Sequence, residues 1–338
     1  MRINAIGRGC LVLVVCAMAT VSPLQSLPQA AAQDRRFPSD LDRLSEHKAD
    51  AGDSSHDHAH GDLPDSSGPV PLSPLGVSLT EGWLDPWPHD HFSRRGTPFA
   101  HSFFTEPAYL DRDFFLDTRI ASGEDGNEVE IEAEVEWALT RRIGLVLEAP
   151  FLFVDPEAGE TEQGFGDFAF APRLLLVETH RFLLSANFEV GTPTGSESRG
   201  LGRGETALSP TLSLWYDLGG SVALHAQFGN EHGLESGDDE FLYNAAVTFS
   251  PFDLEGVVGA DHDEHGRHFP AGMIHWLAEV NGRTGLSGRE HGRTTAEFLF
   301  GATYLVTSYV EIRAGLQFPL FKPREFDTAY LLGLVYHL

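Results

Sequence analysis

The sequence predicts an all-β fold: an antiparallel transmembrane β-barrel of about twelve strands behind a disordered N-terminal leader. Three observations predict it. An export signal opens the chain. From Phe114 to Leu338, segments of strand length alternate apolar and polar residues. The connections between them alternate between tight turns and long polar loops.

The signal spans residues 1–32. Arg2 and Arg8 supply its positive start, Leu11 to Val21 its apolar stretch, and Ala30, Ala31 and Ala32 the small residues of a cleavage site. Gln33 is the expected mature start. The apolar run is shorter than the ~20 residues that a spanning helix needs. The two cysteines, Cys10 and Cys16, both fall inside the signal, so the mature chain has neither disulfide nor thiolate chemistry. Val15 is too bulky before Cys16 for a lipoprotein site.

Residues 33–110 form the leader. Asp, Ser, Pro, Gly and His dominate it, with neither a helical nor a strand period. Such a segment buries too little apolar surface to offset its ordering entropy. Trp83, Trp87 and Phe92 near its end suit packing against the barrel mouth or lumen. It carries His56, His58 and His60, then His89 and His91; a second His and acid group, His262, His265 and His268, lies in the insert from Ser250 to Pro270. Closely spaced imidazoles beside carboxylates can capture zinc or copper. Polar linkers with no ligand carry the same composition, and both readings stand. No other cofactor is indicated.

The barrel occupies residues 111–338. Its clearest strand runs from Glu128 to Trp137. Side chains alternate faces along a strand, so Glu128, Glu130, Glu132, Glu134 and Glu136 share one face. Val129, Ile131, Ala133, Val135 and Trp137 share the other. The same pattern recurs in rows such as Phe182 to Val190, Ala296 to Tyr304 and Tyr330 to Leu338. Segments of ~9–12 residues suit tilted strands crossing a bilayer. Tight connections fall at Thr140–Arg142, Thr179–His180, Asp217–Gly220 and Thr307–Ser308. Long ones fall at Gly123–Asn127, Asp155–Gly164, Thr192–Gly204, Glu231–Asp239, Asn281–Arg293 and Pro319–Asp327. By that parity the Ser250–Pro270 insert belongs to the tight-turn side, the same side as the leader.

With apolar rows facing lipid, the opposite faces line a lumen. The expected lining is Arg119, Glu128, Glu130, Glu132, Glu134, Glu136, Glu148, Asp167, Arg173, Glu189, Glu311 and Arg313. A stripe of carboxylates concentrates cations and repels anions. The formal net charge of −27 excludes nucleic acid as a partner, because phosphate binding needs clustered Lys and Arg. His225 and His275 face inward with no Ser motif beside them in sequence, and no catalytic residue is assigned.

Two short motifs, Gly164-Phe165-Gly166-Asp167 and Gly191-Thr192-Pro193-Thr194-Gly195, carry a family resemblance, continued by Gly200, Gly202 and Gly204. From Phe114 to Leu338 the chain resembles the outer-membrane β-barrel family named for the MetA-pathway of phenol degradation and described as transporters. The resemblance implies the fold and the outer membrane of a Gram-negative-type bacterium. It implies a substrate only weakly. Gly333, Tyr336 and Leu338 resemble the terminal signal read by the barrel assembly machinery, with Leu where Phe is usual. The expected function is a channel or transporter for ions or polar and aromatic small molecules, with outer-membrane lipid around it and the leader in the periplasm. The alternatives are a filled structural or metal-binding barrel and a barrel enzyme.

Overall fold

Alternating side chains make each strand two-faced, and closing the sheet on itself removes the unpaired edges. The computed structural model shows this closure. It describes residues 79–124, 126–251 and 268–338. The signal, His56, His58, His60, His262 and His265 lie outside the described residues.

The strands are β1 (Arg112–Gly123), β2 (Gly126–Ala138), β3 (Ile143–Pro156), β4 (Glu162–Phe165), β5 (Ala169–Glu178), β6 (Phe182–Gly191), β7 (Ala207–Gly219), β8 (Val222–Gly233), β9 (Asp239–Phe249), β10 (Ile274–Gly285), β11 (Thr294–Leu305), β12 (Val310–Pro319) and β13 (Thr328–His337). Twelve of them form one closed antiparallel ring, in which β1 pairs with both β2 and β13 and β3 pairs with β5. The short β4 folds back on the outer end of β3 and is not part of the ring. Gly164 and Phe165 of the first family motif sit in β4, and the ring strand starts at Ala169. The Gly123–Asn127 connection, expected to be long, is a tight hairpin: Gly123 pairs with Gly126, whose φ of 135° only glycine adopts readily.

The apolar rows face outward. Phe170, Phe188, Phe228, Phe300, Leu316 and Tyr330 are exposed around the ring. An aromatic level lies toward the tight-turn end: Trp276 pairs with Phe249, Ile274 with Tyr304, and Val310 with Tyr336. A continuous apolar belt with aromatics near its rim is the surface of a barrel embedded in lipid.

The inner face differs from expectation in one half of the barrel. Leu175, Leu183, Trp215, Leu277, Leu299, Leu331 and Val335 are buried on the inward side. Water in the lumen would make these positions unfavourable. They are instead covered by residues 79–111, the last part of the expected disordered leader. That stretch has no regular secondary structure. Its Ala108, Tyr109 and Leu110 share one core with Ala138, Leu175, Leu183, Trp215 and Ala223, against which Trp87 and Phe99 pack. Phe103 packs on Leu277, Leu299 and Leu331. Phe92 joins Phe269, Met273 and Leu305. Residues 79–111, expected to lie unstructured, are thus held in the lumen, which supplies the apolar partners that a free segment lacks.

Candidate functional site: a lumen filled at one end and acidic at the other

Residues 79–111 form a plug that enters from the tight-turn end. Trp83 stacks on Arg142 at 5.6 Å, and Arg141 N donates to Asp85 O at 3.0 Å, both at the β2–β3 turn. Thr97 donates to Asp217 Oδ1 at 2.8 Å, beside the β7–β8 turn. The plug then climbs to about mid-barrel. There Glu279 accepts backbone N–H groups from Phe103 and, at 3.1 Å, from Phe104. Glu106 N donates to Gln227 Oε1 at 3.3 Å. The chain returns past Tyr109 to β1. Gly301 and Gly315, paired across β11 and β12, make room at the apex. A Cβ on Gly301 would sit 3.0 Å from the Phe103 ring, and one on Gly315 would sit 3.2 Å from it.

Four of the expected lumen-lining residues, Glu136, Arg173, Glu311 and Arg313, are buried rather than facing water, and the two arginines hold the plug directly. Arg173 pairs with Glu136 at 2.9 Å and Glu106 at 3.4 Å, and also donates to Pro107 O and Tyr109 O of the plug. Arg313 pairs with Asp117, donates to Ser102 O at 3.1 Å and lies 4.8 Å over the Phe103 ring. Glu311 lies 3.6 Å from His337. The reason is desolvation: once the plug excludes water, a charge is tolerable only when paired.

A string of buried acids and imidazoles continues from there. His337 meets Asp113 at 3.0 Å, Asp113 meets His101 at 3.0 Å, and Asp111 meets His91 at 3.3 Å. His225 and His275 are fully buried, as their inward placement predicts. His225 is bonded to Thr248 at 3.2 Å and His275 to Ser250 at 2.6 Å. Ser250 and His275 are the one Ser–His pair that sequence distance hid. Both are buried beneath Phe269, which reaches within 5.3 Å of the imidazole. The pair is a buried hydrogen bond, and His275 Nε2 has no hydrogen-bond partner among the described residues.

Above the plug apex two cavities are lined largely by charged side chains. One cavity of about 200 Å³ is lined by seven carboxylates, from Glu130, Glu132, Glu148, Asp167, Glu189, Glu205 and Glu231, against the single guanidinium of Arg203. A second, of about 300 Å³, is lined by Arg119, Glu130, Asn244, Asn281, Arg283, Glu297, Gln317 and Glu325. Glu134 stands directly opposite Glu148 in the β2–β3 register, a like-charge pair that opposes close packing. Glu128 pairs with Arg119 at 3.3 Å and is partly exposed. Glu205, Glu231, Arg203 and Glu297 were missed by the sequence reading. Glu231 and Glu297 lie within β8 and β11 at inward positions that the alternation marks, whereas Arg203 and Glu205 lie in the β6–β7 loop, where facing has no local signal.

Asp167 does more than line the rim. Its Oδ1 accepts from Gly195 N at 2.8 Å and its Oδ2 from Arg203 N at 2.7 Å. Thr194 Oγ1 accepts from Phe168 N at 2.8 Å, and Thr192 N donates to Phe168 O at 2.8 Å. The two short motifs that carry the family resemblance thus clamp each other at the loop end.

Of the expected metal ligands, the structure brings His89, His91 and His268 together. One ring nitrogen from each lies within 4.8 Å of the others. His89 stacks on Trp87 at 4.6 Å and has a left-handed backbone, φ 43°. That conformation costs a residue with a Cβ about 1–2 kcal/mol. Burial, then the neighbouring His91 and His268, hold the His89 imidazole down at about 4. It is neutral, and a competent donor, at pH 7.

A closed barrel with a lipid-facing belt, tight turns at one end, loops at the other and a polar lumen is the architecture of the outer-membrane porins and channels. Residues 126–320 match the family model described as "Putative MetA-pathway of phenol degradation". The chain belongs to that family. Among solved structures it is similar to the COG4313 outer membrane channel from Pseudomonas putida F1, at 13% identity and a TM-score of 0.50, over 71% of this chain and 100% of that one. It is also similar to the NanC porin, at 10% identity and a TM-score of 0.47, over 67% of this chain and 100% of the other. No curated protein matches the sequence.

Proposed function

We propose that the protein is an outer-membrane channel for small cations or for polar and aromatic solutes, with its leader in the periplasm. The carrying observation is the acid excess in the open half of the lumen, seven carboxylates to one guanidinium around one cavity. Walls of low dielectric focus that field and raise the local cation concentration. The plug closes the base of this vestibule, so passage requires it to shift. The plug has no regular secondary structure, so it can shift at its side-chain contacts without breaking a strand ladder. The lipid belt and terminal signal fit assembly by the barrel machinery.

The test is conductance of the purified barrel in planar bilayers, with reversal potentials measured in salt gradients. The native barrel is expected to prefer cations. The triple variant Glu130→Gln, Glu132→Gln, Glu148→Gln is expected to reduce that preference several-fold. An unchanged preference would remove the acidic vestibule from the account. A second reading, a filled structural barrel, is favoured by the buried apolar contacts of the plug. A folded barrel that never conducts, under any voltage or pH, would support it.

A further inference from the structure

Two groups of titratable residues meet at the tight-turn end, and they differ in chemistry. The acid–imidazole string from His337 to Asp111 pairs opposite charges and explains itself. The other group gathers three imidazoles: the ring centroids of His89 and His268 lie 4.7 Å apart, and those of His91 and His268 lie 5.8 Å apart. Neutral imidazoles bring lone pairs toward one another, and a positive ion at their centre would accept those lone pairs.

We propose that His89, His91 and His268 bind one divalent transition-metal ion of the zinc or copper class, tying the plug to the β9–β10 connection. Imidazole nitrogen is the preferred donor for these ions. Metal–nitrogen bonds of about 2.0–2.1 Å put tetrahedral ligand nitrogens about 3.4 Å apart. The nitrogens here fall within 4.8 Å of one another, so modest ring rotations close the site. Both ring nitrogens of His91 are buried without a hydrogen-bond partner among the described residues, with Asp111 Oδ2 3.3 Å from Nδ1. A metal ion would take one of these nitrogens, and the neighbouring carboxylate would orient the ring through the other.

Because His89 and His91 belong to the plug and His268 to the barrel, the ion would add a bond between them at the plug's entry, beside the packing of Phe92 on Phe269 and Met273. Occupancy would then hold the plug's entry point in place. This consequence is independent of what the lumen conducts, and the site can be tested without conductance.

The experiment uses the full, untagged chain folded in detergent. His47, His56, His58, His60, His262 and His265 are replaced by Ala, so that the other histidine clusters contribute no binding. After dialysis against micromolar Zn²⁺, one equivalent is expected per barrel. Cu²⁺ in the same background is expected to give a paramagnetic resonance spectrum with coupling to three imidazole nitrogens. His89→Ala and His268→Ala, each checked for heat-modifiable migration as a folded barrel, are expected to weaken binding tenfold or more. Absence of a stoichiometric ion overturns the proposal, as does a one-nitrogen spectrum or binding that both variants leave unchanged. The copper spectrum needs no variant of the three ligands, so a variant that fails to fold leaves the test intact. Rings held together by stacking alone would show no bound ion.

Discussion

The two halves of the lumen are built from the same twelve strands and solve opposite problems. At the tight-turn end, Arg173, Arg313 and Asp113 are each paired and sealed under Phe99, Phe103 and Tyr109. At the loop end, Glu130, Glu132, Glu148 and Glu189 face a cavity with few counter-charges. What separates them is water. Excluded from the first half, it forces each charge onto a counter-charge or onto backbone hydrogen bonds, as at Glu279. Present in the second, it would solvate carboxylates that are otherwise costly to crowd.

Breaking the pairing in the filled half gives the largest expected effect. Arg173→Met removes the partner of Glu136 and Glu106 and two carbonyl contacts to the plug. Leaving a buried charge unpaired costs about 3–5 kcal/mol. Amide hydrogen exchange across residues 100–111 is expected to accelerate, while exchange in the strands changes little. Equal acceleration in plug and strands would mean that the plug is part of one cooperative unit with the barrel.

Loosening only the apex gives a smaller effect. Glu279→Ala removes the carboxylate that accepts from Phe103 and Phe104. Charge-assisted bonds contribute about 1.5–3 kcal/mol. The expected outcome is more frequent open events in single-channel records, with cation preference retained. If openings do not change, the path through the lumen does not pass the apex.

The smallest effect is expected in the open half. Asp167→Ala frees Gly195 N and Arg203 N from their acceptor. The cost is about 1–2 kcal/mol, confined to one loop, because water can replace the lost acceptor. Protease sensitivity within residues 192–204 is expected to rise without a change in the unfolding midpoint of the barrel. A lowered midpoint would show that the motif clamp supports the ring itself.

Much of the ring was legible because strand periodicity is local. The glutamates from Glu128 to Glu136 announce one face by spacing alone, and the rows ending at Trp137, Tyr304 and Tyr336 mark the outward one. Loop parity placed the insert carrying His268 on the side where His89 and His91 meet it. The fate of individual charges was not legible. Arg173 and Glu189 look alike as inward positions, yet one is sealed under the plug and the other lines a cavity. A signal for the plug was present in the inward Leu175, Leu183, Trp215, Leu277, Leu299 and Leu331, which no water-filled lumen would place there.

The sequence by itself determined that the barrel has two faces, which residues share each face, and where the turns alternate, since all of these follow from the two-residue repeat of a strand. Only the tertiary structure decided that residues 79–111 enter the ring, which charges they seal, and which three imidazoles meet. An irregular segment has no period to read. Its conformation is set by apolar and ionic partners contributed by strands far away in the chain, and those partners exist only once the ring has closed.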